Sequence, residues 1–276
     1  MTISSLRPSS GTMRPLIAGN WKMHGLAAQL DEIEMIATSV RATPPAADVV
    51  LCVPATLLSR AFMIAAGRIA LGGEDCHAEV SGPFTGDVSA QMLRDAGAQA
   101  VIVGHSERRQ NHQETDQMVA AKAAAARRSG LFTIVCIGES KEQRQNGDAF
   151  AACAEQLWGS LPREVVSAET VAIAYEPLWA IGTGTLPSVN QIAEMHQHLR
   201  ASLIEFAGPS GAGVRILYGG SVTAENSTEI LELVNVNGVL IGGASLSAND
   251  FDAVLRCVPE SEPSSVDRRV ANRPYD

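Results

Sequence analysis

The sequence predicts an α/β protein built as a single closed (β/α)₈ barrel, and three observations carry that prediction. Eight short apolar runs rich in Val, Ile and Leu recur along the chain, and helix-like stretches separate them. The runs do not alternate apolar with polar residues, as expected of strands buried on both faces in a parallel sheet. Eight βα units in about 245 residues match the count and length of a barrel, with a doubly wound open sheet as the rival architecture.

Taken in order, the first run is LIAGNWK (16–22), which ends on Asn20 and Lys22, and Ala27–Val40 follows as a helix. DVVLCVP (48–54) and IALGGED (69–75) are the second and third strands, and the third runs into a long polar connection, HAEVSGPFTGDVS (77–89). AVIVGHS (100–106) carries His105, with Ser106 placed to begin a helix. Asp116–Ser129 then leads to FTIVCIGE (132–139), and Lys141–Trp158 precedes VAIAYEP (171–177). That sixth run ends on a carboxylate, Glu176, and opens into a glycine-rich loop, Ala180-Ile181-Gly182-Thr183-Gly184. Ser188, after Pro187, is placed as the N-cap of a helix running to Phe206. RILYGGS (215–221) ends on Ser221, GVLIGGA (238–244) contains Gly242 and Gly243, and Ala248–Val258 is the last helix. The polar residues Asn20, Lys22, His105, Glu176 and Ser221 thus converge on the C-terminal mouth, where barrel enzymes place reactive groups.

Composition narrows the partners. Hydrophobic residues make up 46% and charged residues 18%, too apolar for a disordered chain. A net charge of −9 gives no general attraction to nucleic acid or to anionic membranes, and no apolar stretch is long enough to span one. Five widely spaced cysteines without a CxxC pair suggest neither a disulfide framework nor zinc, and reduced thiols fit a cytoplasmic protein. His196 and His198 lie two apart on one helix and face different sides, so no metal site is expected. Residues 1–13 and 258–276, rich in Ser, Pro and charge, read as mobile extensions flanking a catalytic barrel over 14–257.

The chain closely resembles triosephosphate isomerase. The matching segments are AGNWKMHG (18–25), SGPFTGDVS (81–89), VGHSERR (103–109), CIGE (136–139), AYEPLWAIGTG (174–184), YGGSV (218–222) and IGGASL (241–246), in that family's order. The resemblance implies a TIM barrel that interconverts dihydroxyacetone phosphate and D-glyceraldehyde 3-phosphate in glycolysis and gluconeogenesis, without cofactor or metal. By the same resemblance Glu176 is the base that moves a proton between adjacent carbons, His105 polarises the carbonyl, and Asn20 and Lys22 hold the substrate. The resemblance likewise implies a neutral histidine at a helix N-terminus and a lid hinged at Pro177-Leu178-Trp179. Phosphate falls to Gly182, Ser221, Gly242 and Gly243, where glycine permits close main-chain approach. The loop bearing Thr85 would reach into the partner of a homodimer. Glu107 is a candidate to orient Lys22 or His105, and Glu74 stands where the family usually has an amide. A paralogue acting on a tetrulose phosphate and a non-catalytic barrel binding a phosphometabolite are the alternatives.

Overall fold

A computed structural model of the chain describes Leu6, residues 13–181 and residues 186–259. Its strands are β1 (Leu16–Asn20), β2 (Asp48–Cys52), β3 (Ala70–Gly73), β4 (Ala100–Val103), β5 (Phe132–Ile137), β6 (Val171–Tyr175), β7 (Arg215–Tyr218) and β8 (Gly238–Ile241). They pair parallel in sequence order, and β8 returns to β1 through Leu16 opposite Gly238 and Gly19 opposite Ile241, so the sheet is a closed barrel and not an open one.

The absence of polar alternation has a direct cause. On β1, Leu16 and Ala18 point into the barrel while Ile17 packs against the helices outside; Val50 and Leu51 divide in the same way on β2. Both faces are apolar because both are covered.

Every strand is shorter than its apolar run, by two or three residues at the C-terminal end. Asn20 is the last residue of β1, whereas Lys22, His105, Glu176 and Ser221 lie just beyond their strands. The chain leaves the ladder there; Lys22 even takes a left-handed backbone, φ +58°.

Two of the expected helices differ in detail. Lys141–Trp158 is two helices, Lys141–Asn146 and Ala149–Ser160, because Gly147 caps the first at φ +84°. Ala27–Val40 begins as a 3₁₀ turn, Ala27–Gln29, before the helix Leu30–Ala42. Ser188 does cap its helix: its hydroxyl accepts from the Gln191 N–H at 3.2 Å, and Gln191 Oε1 accepts from the Ser188 N–H at 2.9 Å. Of the extensions expected to be mobile, residues 1–5, 7–12 and 260–276 lie outside the described residues; Leu6 is buried.

Gly238 is central to barrel closure. Its φ is +136°, and a Cβ there would lie 2.0 Å from the Leu16 carbonyl oxygen and 2.6 Å from the Leu16 nitrogen. Gly238→Ala is therefore expected to lower stability by more than about 1 kcal/mol, read as a lower urea midpoint at unchanged slope. An unchanged midpoint would show that the β8–β1 seam relaxes freely.

Candidate active site

The C-terminal mouth brings together β4 and β6, which flank β5. His105 follows β4 and caps the helix Ser106–Asn111, its Nδ1 accepting the Glu107 main-chain N–H at 3.3 Å. Glu176 follows β6 and is 2% exposed. Its Oε1 lies 2.8 Å from His105 Nε2, and its Oε2 accepts the Ser106 N–H at 2.9 Å. The helix start thus offers a main-chain donor to a carboxylate, as helix N-termini do for anions. Burial disfavours the charged imidazole, but the charge and hydrogen bond of Glu176, joined by Glu107, outweigh it and hold His105 above its ordinary range. With the Nδ1 lone pair taken by Glu107 N–H, the proton facing Glu176 sits on Nε2.

Asn20 is buried, and its Oδ1 accepts the Lys22 N–H at 3.2 Å, bracing the left-handed residue. Lys22 Nζ meets Glu107 Oε1 at 2.6 Å, so Glu107 binds Lys22 directly and, through its main chain, His105. Against burial, the Lys22 hydrogen bond and the His105 and Lys22 charges hold the Glu107 carboxyl below its usual range.

Beside this pair a cavity of about 280 Å³ is bounded by Asn20, Lys22, His105, Glu176, Ser221 and Gly242. The Ser221 N–H has no acceptor among the described residues. A methyl placed on Gly242 would lie 3.4 Å from Lys22 Cε, while one on Gly243 would meet nothing within 4 Å. The lysine stem therefore crosses Gly242, and the open Gly243 leaves main chain accessible to a ligand. Gly182 lies outside the described residues. Thr85 is exposed in the long loop after β3, away from this cavity's walls. The loop's start and end are tied by His77 N–H to the Val88 carbonyl at 2.8 Å.

Several polar residues of the matched segments, Arg108, Arg109 and Glu139 among them, had no role read from the sequence. Glu139, fully buried just beyond β5, accepts from Trp179 Nε1 at 2.7 Å and Tyr175 OH at 3.1 Å, and Arg144 Nη1 lies 3.4 Å away. It joins the end of β5 to residues on both sides of Glu176, Tyr175 before it and Trp179 after it. The available signal was an acid closing an apolar run, the same pattern that Glu176 shows one strand later. His196 is a core histidine: fully buried with Nδ1 at 3.1 Å from the Asn235 carbonyl, it is pushed down to about 4 by burial. Among the described residues no group of three or more His, Cys, Asp or Glu is arranged to hold a metal ion.

A buried carboxylate against an imidazole, a lysine and a glycine-lined cavity, all at the C-terminal mouth of a (β/α)₈ barrel, define a barrel enzyme equipped for acid–base chemistry on a small anion. The family profile of triosephosphate isomerase matches residues 15–258. The triosephosphate isomerase of Chelativorans sp. (strain BNC1) is 53% identical over 249 residues, covering 90% of this chain and 98% of that protein. That of Caulobacter vibrioides is 50% identical, covering 94% of this chain and 100% of that protein. The crystal structure of triosephosphate isomerase from Bartonella henselae superposes with a TM-score of 0.82 at 46% identity, covering 88% of this chain and 98% of that one. The chain belongs to the triosephosphate isomerase family.

Glu74, just beyond β3, has a buried Oε1 with no hydrogen-bond partner among the described residues. Burial pushes its carboxyl up to about 8; the Lys22 main-chain N–H opposes this and the Glu107 charge adds to it. The folded state thus holds a proton that the unfolded chain releases near 4.5, so stability falls as pH rises from about 4.5 to 8. Glutamine copies the protonated acid. Glu74→Gln is expected to raise the melting temperature at pH 8 and scarcely at pH 4.5, measured by calorimetry across that range; an equal effect at both pH values would mean that Glu74 does not titrate in this window.

Proposed function

We propose that this protein catalyses the interconversion of dihydroxyacetone phosphate and D-glyceraldehyde 3-phosphate, in the cytoplasm, as a step of glycolysis and gluconeogenesis. The observation that carries the proposal is the 2.8 Å contact of Glu176 with His105 at the wall of a small cavity that also holds Lys22 and the Ser221 and Gly242–Gly243 main chain. Family membership supports the substrate. The phosphate lies against the main chain of Ser221, Gly242 and Gly243, with Gly182 of the lid completing the site, and Lys22 and Asn20 face the reacting carbons.

In the mechanism, Glu176 takes the proton from the carbon next to the carbonyl and returns it to the neighbouring carbon. The Nε2 proton of His105 faces the carbonyl oxygen and stabilises the enediolate, with the Lys22 charge close by. Both oxygens of Glu176 are occupied by His105 and Ser106, so the carboxylate turns away from them to reach substrate. That turn also frees the His105 N–H for the carbonyl and removes the charge that favours imidazolium. The segment Pro177-Leu178-Trp179, anchored by Glu139, is the natural pivot. No metal or cofactor enters any step.

We further propose a homodimer in which Thr85 enters the partner's groove. A groove of about 770 Å³ runs past Asn20, Lys22, Met23, Glu74 and Glu107. Met23 is 97% exposed in the single chain, and Phe84, next to Thr85, is exposed too. Covering such apolar surface favours association.

Glu176→Gln is expected to fold normally and lose about 10²–10⁴-fold in kcat in a coupled isomerase assay; near-native turnover would remove Glu176 from the mechanism. His105→Gln should lower kcat with little change in KM, since its donor matters most in the transition state. Thr85→Arg places an unpaired charge in a symmetric interface twice, so light scattering should show a shift to monomer with turnover falling in parallel. A fully active monomer would refute the dimer's role.

A further inference from the structure

At the opposite end of the barrel, the N-terminal mouth holds a side chain that belongs to none of the eight βα units. Leu6 is 1% exposed and lies in the apolar cluster of the barrel interior, with Leu16, Phe132, Leu217 and Leu240. It also borders a cavity of about 200 Å³ with Phe132 and Thr170, which places it level with the starts of β5 and β6.

Two features show that this mouth is built to receive it. The first is volume. Interior positions near the starts of β3, β4 and β6 are Ala70, Ala100 and Ala172, so three of the eight strands bring only a methyl group to the barrel floor. A barrel interior is normally filled by branched side chains, and a hollow floor would cost packing. The second is charge. Arg215, the first residue of β7, is 1% exposed. Its Nη1 binds Asp48 Oδ2 at 2.7 Å, its guanidinium lies 5.2 Å from the Phe132 ring centre, and its Nη2 donates to the main-chain carbonyl of Leu6. Its Nε has no acceptor among the described residues. Without the Leu6 carbonyl, a buried guanidinium would lose a further partner, and unsatisfied buried donors are costly. Arg14 closes the rim by reaching Asp48 Oδ1 at 3.3 Å.

We propose that the N-terminal mouth of the barrel is a binding site for the chain's own Leu6, with its side chain as the stopper and its carbonyl as the acceptor that completes the Arg215–Asp48 pair. Because the stopper sits at the end opposite Glu176 and His105, it acts on stability and leaves the chemistry alone.

The test uses the full-length chain. Leu6→Ala is expected to lower the melting temperature by about 5–10 °C, as for a buried leucine in a protein of this size, with kcat and KM unchanged. Leu6→Met, which keeps the volume, should restore most of that loss. Burial is read separately by labelling Leu6→Cys with a thiol reagent under native conditions, after subtracting the unsubstituted protein. It should react at least about 100-fold more slowly than Val234→Cys, whose native side chain is 79% exposed. A Leu6→Ala melting temperature within about 1 °C of the parent, or labelling of Leu6→Cys as fast as Val234→Cys, would overturn the proposal.

Discussion

Both oxygens of one buried carboxylate are taken by protein donors, His105 Nε2 at 2.8 Å and Ser106 N–H at 2.9 Å, and much of the mouth is arranged around holding Glu176 there. Closure of the sheet sets β4 and β6 on either side of β5. The chain leaving β5 must then pass under Glu176, and it does so as Gly138: a Cβ there would lie 1.8 Å from the Glu176 carbonyl oxygen. On the other side a Cβ at Gly219 would come within 3.0 Å of Glu176 Cγ. Two glycines thus make room for one acid, a steric requirement distinct from any left-handed backbone.

The same economy governs the other buried charges, each of which is placed with partners. Lys122 Nζ lies between Asp75 Oδ2 at 2.7 Å and Glu114 Oε1 at 2.5 Å, and Arg108 Nε shares Glu114 at 2.6 Å. This cluster fixes the helix that His105 caps. Arg109 Nε binds the Gly104 carbonyl at 2.8 Å and its Nη2 reaches the Cys136 carbonyl at 3.1 Å, tying the exits of β4 and β5 together. Glu139 does the equivalent for Trp179 and Tyr175. The proposed base can then turn on a pivot whose surroundings stay in place. Three charged side chains nevertheless keep one buried atom without a partner among the described residues: Glu74 Oε1, Glu114 Oε2 and Arg215 Nε.

The architecture was legible because a barrel strand covered on both faces writes itself as an unbroken apolar run, and eight such runs leave few alternatives. That these residues meet was legible because Asn20, Lys22, His105, Glu176 and Ser221 interrupt or follow those runs at one end, and the resemblance gave them expected roles. Strand ends were less legible: the apolar pattern continues past the last ladder bond, and nothing in NWK signals that Lys22 turns left-handed. The split of Lys141–Trp158 was marked by Gly147 but hidden by good helix formers on both sides. Leu6 carried no signal, because a lone leucine in a Ser- and Pro-rich stretch has no period, and its worth depends on alanines on three distant strands.

The central claim is that a proton leaves one carbon of the substrate, resides on the Glu176 carboxylate, and returns to the neighbouring carbon. The most direct measurement is proton NMR of the product formed from dihydroxyacetone phosphate in D₂O. A proton held on a carboxylate exchanges with solvent, so D-glyceraldehyde 3-phosphate should carry deuterium at C2. Product formed at full rate with no solvent deuterium at C2 would contradict a proton that rests on a solvent-exchanging Glu176 carboxylate between the two carbons.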